Sequence, residues 1–194
     1  MRRSHAAQLM YEAATRLSGT LDSQQIYLGL RELAAPAIPC DGMVVSSFDA
    51  EASTVRCVYL WVNGQHLDPA TLPVLPIDLS SGGGMQTEVI RTGKGRLYAD
   101  VRDRVRRGGR YFDVSRDGRV RDLAPPDSRP AVARCALMVP IKLEGKVVGI
   151  VQMMSDTPGA YGPEHLSILE SLVAPMAVAL QNAELYARAN REIA

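Results

Sequence analysis

The last third of the chain constrains the fold more than any other part. Residues 135–143 alternate in side-chain character, a Glu-Gly-Lys turn follows, and residues 147–154 return as a second extended segment. Alternation on both sides of a short turn predicts an antiparallel hairpin, with Gly145 at a positive φ. From residue 163 an apolar stripe at helical spacing runs on, which predicts one long amphipathic helix. The block therefore predicts a sheet with a helix packed against it.

The preceding segments extend the same pattern. They read as a helix over 5–18, a second helix after an approximate capping box at Asp22, and a hairpin formed by 42–49 and 54–62. An edge segment (74–79), a short helix ending at Gly93 and a strand (96–101) follow. The arginine-rich residues 102–130 predict a long mobile loop. Hairpins with flanking helices indicate an α+β fold with an antiparallel sheet.

Composition excludes several classes of protein. The 194 residues are 46% hydrophobic, which suits one ordinary domain with a core. The 22 basic and 21 acidic residues leave a net charge of +1, which argues against nucleic-acid binding. No uninterrupted apolar run has the length of a membrane span, and the N-terminus lacks a signal-peptide core. We therefore expect a cytoplasmic domain without membrane insertion.

The reactive side chains form no pattern typical of a catalytic or metal site. There are three cysteines and three histidines, namely Cys40, Cys57, Cys135, His5, His66 and His165. Their wide spacing matches neither a zinc site nor a disulfide framework. No Ser-His-Asp arrangement or pair of catalytic carboxylates is recognisable. The sequence thus predicts no catalytic residue and no metal.

Several short phrases occur in a defined order along the chain. They are Thr20-Leu21-Asp22, Asp41-Gly42, Gly82–Gly84 with Gly93 and Asp100-Val101, Val139-Pro140-Ile141 with Gly145 and Gly149, and Ala177, Ala179, Leu180, Asn182-Ala183 and Leu185-Tyr186. In this order they resemble the GAF domain family, over about residues 6–190. Each phrase is short, and the specificity lies in their order and spacing.

The resemblance implies a single domain over 1–194 with its core at about 6–190. The expected fold is a GAF/PAS-like antiparallel sheet of five to six strands, with the N- and C-terminal helices on one face and a short helix and loops on the other. The implied function is non-catalytic sensing in a bacterial signal-transduction protein, such as a sensor histidine kinase or a cyclic-dinucleotide enzyme. The C-terminal helix, 163–194, is expected to continue toward a downstream effector domain.

The resemblance also implies two sets of functional residues. Ligands of the family lie between the sheet and the short-helix side, so an unidentified small molecule is expected near Phe48, Trp61, Met85, Tyr98 and Arg134. Ordinary core packing is the alternative for each aromatic side chain among them. A homodimer is expected to form through the terminal helices, at Leu9, Leu169, Met176, Leu180 and Ala183.

Other branches of the family fit the residues less well. Free methionine sulfoxide reductases carry a reactive cysteine in a loop phrase that is missing here, where Cys135 directly begins the strand. Cyclic-nucleotide binders carry Asn-Lys and Asp-Glu pairs where this chain has Ser155-Asp156 and Glu164-His165. Residues 102–134 contain no cysteine for a covalent bilin, and no histidine is well placed for haem. A ligand-free structural dimerisation module remains the main alternative to a sensor.

Overall fold

The computed structural model describes residues 2–80, 83–106, 111–114, 119–123 and 133–193. Within them the chain forms five α-helices and nine β-strands. The helices are α1 Arg2–Leu17, α2 Ser23–Ala34, α3 Met85–Thr92, α4 Val101–Arg106 and α5 Pro163–Ile193. The strands are β1 Gly42–Asp49, β2 Thr54–Val62, β3 Gln65–Leu67, β4 Leu75–Pro76, β5 Arg96–Tyr98, β6 Tyr111–Val114, β7 Val120–Leu123, β8 Cys135–Leu143 and β9 Lys146–Ser155.

Seven of the strands form one antiparallel sheet. Its order is β3-β2-β1-β9-β8-β5, and the short β4 pairs with β2. Helices α1, α2 and α5 cover one face, while α3 packs on the other face against β8 and β9. The hairpin β6–β7 forms a separate two-stranded sheet. The α+β prediction and the division of the helices between two faces are confirmed.

Both predicted hairpins are present. The first joins β1 and β2 within the predicted limits, and the second turns at Glu144 and Gly145, whose φ angles are 51° and 79°. Asp22 caps α2, its carboxylate accepting a hydrogen bond from the backbone N–H of Gln24 at 2.8 Å. Gly93 ends α3 in the left-handed conformation with φ 59°. Turn and cap residues were therefore reliable local signals.

The prediction of a long loop over 102–130 is wrong in part. Helix α4 occupies its start, and β6 and β7 form a hairpin further along. In β6 the apolar Phe112 and Val114 alternate with other residues, but two alternating pairs among many arginines are too short a signal. The stretches 107–110, 115–118 and 124–130 lie outside the described residues.

The core on the α1/α2/α5 face contains most of the residues that we expected at a dimer interface. Leu169 and Met176 are fully buried and Ala183 is 7% exposed, all within the same chain. Leu9 and Leu180 pack partly buried against the same core. These dimer assignments are therefore wrong for the buried residues, because the apolar stripe of α5 is used against its own sheet and helices.

Helix α5 has the length and composition of a possible membrane span. Its residues Pro163–Glu192 are long and apolar enough to cross a membrane by composition, with a mean hydropathy of 1.3. A core helix of a soluble protein passes the same test, and Leu172 and Val173 of α5 lie in the core. The helix is thus weak evidence for a membrane span.

Candidate functional site

A cavity of about 250 Å³ lies between the sheet and α3. The sheet provides its floor, with Val44, Ser46, Cys57, Val62, Met138, Gln152 and Met154. The walls come from the first turn of α3, from the segment 72–77 and from Phe112 and Val114 of β6. Because side chains alternate across a strand, Val44 and Ser46 face this cavity while their neighbours Met43 and Val45 enter the opposite core.

Gln152 is the central polar side chain of the floor. It lies between Val44 on β1 and Met138 on β8, and it is 8% exposed. Its Nε2 donates to the Sδ of Met154 at 3.1 Å, and the described residues offer its amide no other hydrogen bond. A thioether is a weak acceptor. The amide therefore retains most of its hydrogen-bonding capacity beside the cavity.

The N-terminus of α3 also borders the cavity. Its cap residue, Gly84, has no side chain to cap the helix, and the first helical hydrogen bond runs from the N–H of Glu88 to the carbonyl of Gly84 at 3.1 Å. The backbone N–H groups of Met85, Gln86 and Thr87 thus have no partner among the described residues. All three residues line the cavity, so a hydrogen-bond acceptor there would meet unpaired donors.

One side of the cavity is acidic. Asp41 lines it, and its Oδ2 accepts hydrogen bonds from the Ser155 hydroxyl and the Asp156 backbone N–H, both at 2.8 Å. Asp156 is a second carboxylate in the lining, and the described lining residues include no lysine or arginine. The Asp41 carboxylate thus stays close to any ligand in the cavity.

A hydrogen-bonded cluster centred on Glu88 holds α3 in place. Its carboxylate accepts from Arg96 at 3.1 Å, from Arg104 at 2.6 Å and from the Tyr98 hydroxyl at 3.1 Å. Burial alone tends to raise the pKa of Glu88, but the bonds from Arg96 and Tyr98 and the charge of Arg104 lower it overall. Burial, and then Glu88, raise the pKa of Tyr98. The charged Glu88 side chain thus connects α3 to β5 and to α4.

Comparison with known proteins identifies the fold. The family model described as "GAF domain" matches residues 7–181. The chain belongs to the GAF domain family. No curated protein sequence matches it.

Several solved GAF-type structures are similar to this chain in fold. The GAF domain of a phosphoenolpyruvate-protein phosphotransferase from Acinetobacter is 13% identical with a TM-score of 0.65, covering 95% of this chain and 98% of that one. A methyl-accepting chemotaxis protein, residues 122 to 287, is 16% identical with a TM-score of 0.62, covering 90% and 98%. Free methionine-R-sulfoxide reductase from Neisseria meningitidis is 12% identical with a TM-score of 0.58, covering 96% and 94%. Signalling proteins and enzymes thus share this fold.

Only some of the predicted pocket residues of this GAF domain lie at the cavity. Met85 lines it. Phe48 and Tyr98 lie on the same face, in the core that α3 covers, and the Tyr98 hydroxyl donates to the carbonyl of Met85 at 3.3 Å. Arg134 is half-buried and is not among the described lining residues. Its backbone N–H donates to Ser155 at 2.8 Å.

Trp61 requires a correction, because it lies on the opposite face of the sheet. It packs against the α1/α2/α5 core, where the guanidinium of Arg31 stands 4.6 Å from its ring centre. A bulge between Val45 and Ser46 shifts the pairing of β1 with β2. The side chains of β2 beyond the bulge therefore change phase, which sequence alternation alone cannot reveal.

Gln152 is the site residue that sequence reasoning missed. Its one available signal was a single amide within the otherwise apolar run of residues 147–154. Such a residue indicates either a paired core amide or a site, and only the surroundings distinguish the two.

Two thiols of this GAF domain are poor nucleophiles and the third is buried. Burial raises the pKa of Cys40 and of Cys57 to about 11, so both are protonated at neutral pH. The Cys135 thiol is 1% exposed and donates to the carbonyl of Thr157 at 3.2 Å. The described residues contain no group of three or more His, Cys, Asp or Glu side chains that could hold a metal.

Proposed function

We propose that this GAF domain is a non-catalytic sensory module of a bacterial signal-transduction protein, and that it binds a small molecule in the α3-side cavity. The observation that supports the proposal most strongly is the buried Gln152 amide beside a cavity of about 250 Å³. A cavity with few convergent polar groups is the usual form of a small-molecule site. The proposal places the domain in the cytoplasm.

A route for the signal follows from the two faces of the sheet. A second cavity, of about 420 Å³, lies between the sheet and α5, and Ser46 lines both cavities. Ser46 adjoins the bulge at which β1 changes its pairing with β2. A ligand that favours one arrangement of this bulge would shift the population of α5 positions. In this proposal α5 carries the change toward a downstream effector domain.

We propose further that two copies pair through the exposed side chains of α1 and α5, rather than through the buried stripe. Met10 and Tyr11 on α1 are 43% and 74% exposed, and Val178, Leu185 and Tyr186 on α5 are 55%, 57% and 55% exposed. Large apolar side chains exposed on neighbouring helices are typical of protein–protein contacts.

Sedimentation analysis tests this pairing. We expect a dimer that Leu185→Asp weakens at least tenfold, because the substitution buries an unpaired charge. Ser167→Asp adds the same charge to an exposed position near the N-terminal end of α5 and serves as the control. A strictly monomeric protein at high concentration would refute the pairing.

Two measurements distinguish the sensor from a ligand-free structural module. Native mass spectrometry of the protein purified from its own host should detect a retained small molecule, and a metabolite panel should raise the melting temperature. Met85→Trp, which fills the cavity from its rim, should abolish both effects. Lys146→Trp, at an exposed position of β9, should leave both unchanged. No retained compound and no thermal shift would favour the structural module.

The sulfoxide reductases of the same fold make an enzyme the second candidate. A thiol reagent under native conditions decides between them. We expect slow labelling of all three cysteines and no turnover of free methionine sulfoxide, because Cys40 and Cys57 are protonated and Cys135 is buried. Rapid labelling of one cysteine together with turnover would establish the enzyme.

A further inference from the structure

We infer that Gln152 selects the class of ligand, and that this class is a neutral molecule with a carboxamide or lactam group on a flat, largely apolar body. The inference rests on the proposed function, since it names what the α3-side cavity binds. It assigns Gln152 as the specificity-determining residue of that site.

The Gln152 amide uses only a small part of its hydrogen-bonding capacity within the described chain. In the described chain its only partner is the Met154 thioether, at 3.1 Å, and the side chain is 8% exposed. The amide is therefore available to a ligand in the cavity. A group that supplies both a donor and an acceptor could bond to its oxygen and its nitrogen at once. Carboxamides and lactams present the two side by side, which matches the donor and acceptor of a glutamine amide.

The polar groups around the cavity favour a ligand without charge. The unpaired N–H groups at the start of α3 favour an acceptor such as a carbonyl oxygen. They would also favour a carboxylate, but the Asp41 carboxylate lines the same cavity and would repel a second negative charge. A helix N-terminus carries only about half a positive charge. A neutral carbonyl therefore fits this lining better than an anion.

The apolar part of the cavity lining favours a flat, apolar ligand body. Met85, Met138 and Met154 line the cavity together with Phe112. Thioethers adapt their shape and make favourable contacts with the edges of aromatic rings. The volume of about 250 Å³ is slightly below the range of about 300–1,000 Å³ that drug-sized ligands occupy. A single substituted ring is thus the appropriate size of probe.

The test uses three matched probes and the methyl groups of the methionines. Benzamide carries a donor and an acceptor, acetophenone carries only the acceptor, and benzoate carries the charge. The full chain is labelled with ¹³C at the methionine methyls, and each probe is titrated while the Met85, Met138 and Met154 signals are followed. Met43 and Met176, which lie in the opposite core, report effects away from the cavity.

We expect benzamide to shift the cavity methyls and to bind roughly tenfold more tightly than acetophenone or benzoate. Gln152→Leu should reduce this preference to less than about threefold while acetophenone binding stays the same. Gln65→Leu, the same change at an exposed position of β3, should retain the wild-type preference. Should Gln152→Leu not fold, the ranking in the wild-type protein tests the inference by itself.

The outcomes separate this inference from the proposed function. Equal binding of benzamide and acetophenone, or a preference that survives Gln152→Leu, overturns the role of Gln152 and leaves the cavity as a binding site. Tightest binding of benzoate overturns the neutral ligand class. Cavity methyls that respond to none of the three probes refute both the inference and the small-molecule site.

Discussion

The Glu88 cluster allows a stability prediction that can be calculated from the structure. Glu88→Ala removes the acceptor of three hydrogen bonds, from Arg96, Arg104 and Tyr98. The Glu88 side chain is 23% exposed, and those of Arg96 and Arg104 are 33% and 39% exposed. Hydrogen bonds to buried charged groups contribute about 1.5–3 kcal/mol each, whereas exposed ion pairs contribute about 0–1 kcal/mol.

Solvent therefore weakens the two arginine contacts more than the contact from Tyr98, which is 6% exposed. Allowing about 0.5 kcal/mol for each arginine contact and about 1 kcal/mol for the tyrosine contact, we expect Glu88→Ala to lower the free energy of unfolding by about 2 kcal/mol. Glu184→Ala is the matched control, since Glu184 makes one exposed pair with Arg188 on α5. Its expected effect is about 0.3–0.5 kcal/mol.

Urea unfolding followed by the fluorescence of the single tryptophan measures both variants. The difference between wild type and Glu88→Ala should also depend on pH. Because the native pKa of Glu88 is lowered, its contribution is present above the unfolded-state pKa and disappears as the pH falls through the native pKa. An effect no larger than that of Glu184→Ala, or one unchanged between pH 7 and pH 3, would refute the reasoning.

Three further variants test the packing around the site and the start of α2. Gly149→Ala should lower the stability by about 1–3 kcal/mol, because an added Cβ would lie 2.5 Å from the backbone oxygen of Ser46; Gly19→Ala, where the nearest atom lies at 3.5 Å, is the control, and equal melting temperatures would contradict the expectation. Gln152→Leu should leave the melting temperature of the ligand-free protein unchanged or higher, since it removes a poorly paired amide; a clear decrease would mean that the amide is satisfied. Asp22→Ala should cost about 1 kcal/mol in urea unfolding through loss of the α2 cap, and no measurable change would show that the cap is unimportant.

Much of the fold was predictable because its signals are local. The hairpins β1–β2 and β8–β9 follow from alternation and turn residues, and α5 follows from its apolar spacing. The β6–β7 hairpin was missed because four-residue strands give too little alternation to stand out.

The site was less predictable, because the same types of side chain occur on both faces of the sheet. Met85 lines the cavity and Trp61 lies on the opposite face of the sheet, although both are large and apolar. Leu169 and Met176 have the spacing of an interface, yet they are buried within the chain. An apolar stripe indicates that a helix face is covered, not which partner covers it.

The sequence by itself determined the main helices, the two long hairpins and the α+β class, because hydrogen bonds within helices and hairpins join residues that are close along the chain. Only the tertiary structure decided which polar groups meet at the cavity. The bond from Ser155 to Asp41 spans 114 residues, and the cavity beside Gln152 combines residues of six strands with α3. Contacts at such separations depend on register and on the bulge at Ser46, and neither leaves a periodic signal in the sequence.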